Sequence, residues 1–249
     1  MRQAALQAVA FDPELAEAHT VLGGYLHVYE WNWEAAEREY IRAIELDPNY
    51  HTARLWYGYF LEAMGRFDES LVQRRRMVEL DPLMPSVGLG TVLNLMGRGE
   101  EALEFYRDVI ERDSAYWQAD EAMSDVYEGG GKLDEAARAL ERAVAHAGNT
   151  SRPKAHLARV LARAGNRVEA RRLLEELRAQ ARASDIYHPV VATALAAAGD
   201  VDGAFAWLEK SYAQRHPDLN HLSVEGAYRA LRGDPRFTDL LRRVGLRGS

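Results

Sequence analysis

The chain has 249 residues, 47% of them hydrophobic, with a formal net charge of −7 and no cysteine. The acidic balance argues against nucleic acid as the main partner, which calls for a basic face, and the missing cysteines exclude disulfides and thiolate metal sites. No stretch approaches the ~20 apolar residues that a membrane-spanning helix needs.

Residues 1–13 come first. Their Ala8-Val9-Ala10-Phe11-Asp12-Pro13 mirrors Ala43-Ile44-Glu45-Leu46-Asp47-Pro48 and Met77-Val78-Glu79-Leu80-Asp81-Pro82. The later copies end helices, because the residue before a proline is driven out of helical backbone angles. The first copy therefore reads as the tail of a second helix whose partner is missing, so the chain is expected to start inside a repeat of a longer protein; the alternative is an N-terminal capping helix built on Leu6, Val9 and Phe11.

A glycine-led turn then recurs. Gly65-Arg66-Phe67-Asp68-Glu69-Ser70-Leu71 has echoes beginning at Gly97, Gly131, Gly165 and Gly199, in steps of 32, 34, 34 and 34. A fixed step of this size marks a helical solenoid. Six helix pairs are expected over 14–218, at about 16–50, 51–82, 83–116, 117–150, 151–184 and 185–218.

In the first pair, helices up to Val28 and over 33–45 flank the aromatic turn Tyr29-Glu30-Trp31-Asn32-Trp33. Pro13 to Pro48 is one residue longer than the next interval, and Asn32 is the residue expected to take positive φ there. The short third repeat loses two residues around Pro82-Leu83-Met84-Pro85, so its first helix (86–96) should start late. Glycine at the other turns readily takes the left-handed angles that end a helix, and Asp68, Asp134 and Asp202 are expected to cap the helices that follow. Residues 219–249 read as a C-terminal cap. Pro235 opens its helix, and Phe237, Leu240, Leu241 and Val244 form one apolar face.

Two columns of small residues accompany the period: Gly58, Gly90, Ser124, Ala158 and Ala192 in first helices, and Ala36, Ser70, Ala102, Ala136, Ala170 and Ala204 in second helices. Leu89/Leu93, Met123/Tyr127, Leu157/Leu161 and Val191/Leu195 surround them at helical spacing. This pattern resembles the tetratricopeptide repeat family over 16–218, although Ser114, Gly148 and His216 stand where that family has proline. The resemblance implies an all-α, right-handed superhelical solenoid of antiparallel helix pairs. RNA-binding helical repeats of similar period are the competitor, but they favour a basic groove and lack the paired small columns. The motifs at Trp31-Asn32-Trp33-Glu34, Ala206-Trp207-Leu208-Glu209-Lys210 and 228–246 further resemble C-terminal tetratricopeptide regions of multi-domain bacterial signalling proteins, which implies a cytoplasmic regulatory setting.

The family resemblance also implies a concave groove that binds a peptide or partner helix. On this sequence it would be lined by Thr52, Leu55, Tyr59 and Glu62, then by Met84, Val87, Thr91 and Asn94. Gln118, Glu121, Asp125 and Glu128 follow, then Arg152, Ala155, Arg159 and Arg163. Residues 117–150 hold three basic against seven acidic side chains (net −4), and 151–184 nine against three (net +6). These blocks either select a partner of mixed charge or pair with each other.

No catalytic constellation emerges. The eight histidines form no His-Glu-x-x-His helix motif and no convergent metal pattern. Gly129-Gly130-Gly131-Lys132 lacks the remainder of a phosphate loop, with Leu133 in its hydroxyl position. The expectation is a non-enzymatic interaction module without cofactor or metal. The other reading is self-assembly, with Leu6, Val9 and Phe11 docking on a second copy.

Overall fold

Side chains of alternating bulk at helical spacing, broken by glycine, give antiparallel helix pairs. The computed structural model describes residues 2–84, 86–148, 150–184 and 186–246. Helix α1 (Arg2–Phe11) precedes six pairs. They are α2 (Ala16–Tyr25) with α3 (Trp33–Leu46), α4 (His51–Ala63) with α5 (Phe67–Leu80), and α6 (Gly88–Leu95) with α7 (Gly99–Arg112). Then come α8 (Trp117–Gly129) with α9 (Leu133–His146), α10 (Ser151–Arg163) with α11 (Arg167–Ser184), and α12 (Val190–Ala197) with α13 (Val201–Ala213). Two 3-10 turns, Pro217–His221 and Gly226–Ala230, lead into α14 (Pro235–Val244). No strand occurs among the described residues. Each first helix packs on its own partner and on the first helix of the next pair, so the pairs stack in order.

The turns and small columns account for this stacking. Gly65, Gly97, Gly131, Gly165 and Gly199 all hold positive φ, between 71° and 91°, where a Cβ would be strained. The small residues of the second helices are fully covered. Four residues after each stands a large buried side chain: Tyr40, Arg74, Tyr106, Leu140, Leu174 and Leu208. These large groups lean into the holes left by the facing helix. A Cβ on Gly58 would lie 2.8 Å from Arg74 Nε, and one on Gly90 would overlap the Tyr106 ring. In the first pair Gly23 is the matching residue, 3.0 Å from the Tyr40 ring by the same construction.

Three local expectations are corrected. The extra residue of repeat one is absorbed by a π-helical turn, Leu26–Glu30, which replaces the regular end of the helix expected to run to Val28. Positive φ falls on Trp31 (54°), not Asn32; Asn32 instead caps α3, its Oδ1 accepting the Ala35 N–H at 3.3 Å. The caps of α5 and α9 are Arg66 and Lys132, neither with a side-chain cap hydrogen bond. Asp200, which accepts from Gly203 N, caps α13. Asp68, Asp134 and Asp202 thus sit inside the first turn, where negative charge still complements the helix dipole. Helix α6 starts late, at Gly88; Pro85 lies outside the described residues.

The array does not stay open. Trp33 Nε1 donates to the Val244 carbonyl at 3.0 Å, and Arg215 Nη1 donates to the Tyr29 carbonyl at 2.8 Å. The Trp31 and Tyr212 rings are 5.2 Å apart, with the Arg215 guanidinium 4.5 Å above the Trp31 ring. The first repeat and the C-terminal cap therefore meet, and Trp31 and Trp33 pack against the apolar core of the last repeats. Phe237, Leu240, Leu241 and Val244 are buried as the sequence implied. At the other end, Ala5 of α1 is buried while Phe11 is 94% exposed.

A candidate binding cavity on the concave face

Closure converts the concave face into a cavity of about 1290 Å³. Its walls come from α4, α6, α8 and α10 on one side and from residues 217–229 on the other. Tyr59, Glu62, Thr91 and Asn94 line it, as do Glu121, Asp125, Glu128, Arg152 and Arg163. Val87 and Gln118 join them. Of the residues the sequence placed in a groove, Thr52, Leu55, Met84, Ala155 and Arg159 are not part of this lining. Leu55 instead offers its carbonyl to Arg74 Nη1 at 3.2 Å, and Arg159 is buried behind the wall.

The acidic and basic blocks pair with each other. Arg152 Nε lies 3.1 Å from Glu121 Oε2. Arg159 Nη2 reaches Glu128 Oε2 at 2.6 Å and Asp125 Oδ1 at 3.2 Å, and Arg163 Nη1 reaches Glu128 Oε1 at 2.5 Å. These pairs clamp α8 to α10. A second pair sits deeper, where Arg74 Nε is 2.8 Å from Glu62 Oε1 and both side chains are inaccessible to solvent. Ser70 Oγ donates to the same carboxylate at 2.8 Å, and the Arg74 guanidinium lies 4.1 Å from the centre of the Tyr59 ring. Removing one member of such a buried pair costs far more than the pair itself contributes.

Burial sets the protonation states around the cavity. It pushes the Glu225 carboxyl up to about 7, against the opposing pull of Arg152. Asp125 feels the same upward push, but a hydrogen bond to His156 and the charges of His156 and Arg159 bring it down to about 2. His27 falls to about 3 because it is buried, with His221 beside it. Several polar atoms of cavity-lining residues have no hydrogen-bond partner: Glu121 Oε1, Asn220 Oδ1 and His221 Nε2. Glu121 is 6% and Asn220 2% exposed, and buried acceptors normally find a donor. These three atoms are themselves closed off from solvent, so they are unsatisfied groups within the wall and do not open onto the cavity.

Sequence reasoning assigned Asn220, His221 and Glu225 to a cap and missed their place in the cavity wall; no spacing or motif in 219–249 signals it. It also found no convergent metal pattern, yet His188, His216 and Asp218 bring three potential ligand atoms within 4.8 Å of one another. They come from the links before α12 and after α13, so no single helix motif could announce them. Both histidines precede a proline, Pro189 and Pro217.

Two family models, both described as tetratricopeptide repeat, match residues 21–85 and 108–224. The structure described as the functional characterisation of Pseudomonas aeruginosa pilF aligns with a TM-score of 0.55 at 20% identity, covering 71% of this chain and 81% of that one. The APC/C hetero-tetramer Cut9-Hcn1 aligns with a TM-score of 0.67 at 16% identity, covering 97% of this chain and 45% of that one. At these identities the likeness is one of fold. No curated protein sequence matches the chain.

Proposed function

The chain belongs to the tetratricopeptide repeat family, and from that premise we propose that it is a non-enzymatic protein-interaction scaffold. Its partner supplies a peptide or helix that enters the concave cavity, within a larger bacterial signalling or regulatory protein of the cytoplasm. The observation that carries this reading is the cavity of about 1290 Å³ on the concave face, lined by Tyr59 and Val87 and by the part-exposed carboxylate of Asp125. Since the arginines of α10 are already paired to α8, selection by free arginines has little support. The Asp125 carboxylate, 42% exposed in this wall, favours a segment that brings a donor such as a lysine or arginine side chain, with Tyr59 and Val87 as apolar contacts. Aromatic groups in desolvated pockets often dominate such interfaces.

Asn94 lines the cavity, so Asn94→Arg should place a long side chain across it. Peptides selected from a displayed library on the wild-type chain should bind Asn94→Arg at least tenfold more weakly, with an unchanged circular dichroism spectrum. Equal binding by the two proteins rejects the cavity as the binding site. Self-assembly through Leu6, Val9 and Phe11 is the second reading, supported by the 94% exposure of Phe11. Light scattering that finds only monomer at high concentration removes it.

A further inference from the structure

We propose that His188, His216 and Asp218 form a site for a divalent transition metal, with Zn²⁺ the matching ion. Two imidazoles and a carboxylate suit zinc, and three protein ligands leave its fourth position open to water. The three ligand atoms already lie within 4.8 Å of one another. The two imidazole rings meet edge to face with centroids 4.6 Å apart, and His216 Nδ1 is 4.0 Å from Asp218 Oδ2. Bonds of about 2.0–2.2 Å to a central zinc would require these atoms to draw together by roughly an ångström.

The backbone carrying the histidines is pinned before any metal arrives. The His188 carbonyl accepts the Trp207 indole N–H at 2.9 Å, and the neighbouring Tyr187 carbonyl accepts from Ser211 Oγ at 2.6 Å. The His216 N–H donates to the Ser211 carbonyl at 3.0 Å. Both histidine segments therefore hang on one turn of α13. Pro189 and Pro217 further restrict the residues before them to extended backbone, as His216 shows with φ −62° and ψ 132°.

Two contacts would have to yield. His216 Nδ1 accepts the Asp218 N–H at 3.2 Å, a neutral hydrogen bond that the metal would replace. Arg152 Nη1 stands 3.5 Å from Asp218 Oδ2, but Arg152 has Glu121 as its closer partner and can release Asp218 without being left unpaired.

Titrating Zn²⁺ into the full chain by calorimetry tests the site. One ion per chain is expected, with affinity lowered at least tenfold in His188→Gln and in His216→Gln and unchanged in His146→Gln, an exposed histidine at the end of α9 that is not among the three ligands. No zinc uptake by the wild-type chain, or equal uptake by the two site variants, overturns the proposal. Co²⁺ gives a second reading that needs no variant. A strong visible absorption band of a four-coordinate nitrogen–oxygen complex is expected, and the pale spectrum of the hydrated ion counts against the site.

Discussion

Gly90 and Gly129 are both helical glycines, yet their fates on substitution should differ. A Cβ on Gly90 would overlap the Tyr106 ring, whereas one on Gly129 meets nothing within 4 Å. Gly90→Ala should therefore cost about 1–3 kcal/mol as an overpacked core, while Gly129→Ala should be neutral or gain up to about 1 kcal/mol of helix propensity. Urea denaturation measures both. The small columns were legible because one steric demand recurs at every repeat. The large group beside each hole was not, since Arg74 fills a place that Tyr40 and Tyr106 fill elsewhere. Its charge is tolerated only because Glu62 accompanies it inside, and Glu62→Leu should cost about 3–5 kcal/mol. Glu225 gives a pH signature of known sign. Its folded pKa, about 7, lies above the ordinary glutamate value of 4.5. Between these values the folded state holds the proton more tightly than the unfolded chain, so this group's contribution falls as pH rises from 4.5 to 7 and then levels. Glu225→Gln should match the wild-type melting temperature at pH 4 and exceed it at pH 8. Comparing the two proteins cancels the opposing contribution of His27.

At the scale of elements, the turn of repeat one is the place where the period and the backbone part company. An interval longer by one residue signalled an insertion, but a looser turn and a widened helix absorb one residue equally well. The chain uses the second solution, a π-helical turn over Leu26–Glu30. This displaces the left-handed residue onto Trp31, whose φ of 54° is matched among non-glycine residues by Arg215 at 48°. These two residues stack on each other, so the strained backbone sits at the seam where repeat one meets the cap. Strain of order 1–3 kcal/mol persists only where its surroundings repay it, and here the Tyr212 ring and the Arg215 guanidinium supply the repayment. Trp31→Gly relieves the backbone but removes the indole. It should lower the melting temperature nonetheless, and a rise would show that the seam contributes less than the strain.

Over the whole molecule, the period predicts a stack in which each repeat knows only its neighbours, and nothing in it predicts closure. Closure depends on how much each pair rotates relative to the last, a quantity set by side-chain packing along the entire array, and on residues 217–229 entering the concave face. That is why eleven of the sixteen proposed groove residues do line the cavity, while its other wall was invisible in the sequence. The seam also alters how the molecule should open. In a linear array, disturbing the last helix loosens only the repeats beside it. Here Trp33 donates to Val244 across 211 residues of sequence, and Val244 is fully buried in α14. Val244→Asp should therefore raise amide hydrogen exchange in two distant places, α12–α14 and α2–α3, while α6–α9 between them keep their protection. Loss confined to the C-terminal helices would mean that the seam contributes nothing to stability. A graded loss running from α13 back through α9 would mean that coupling travels along the stack. Only loss at both ends with a quiet middle is expected of a closed ring.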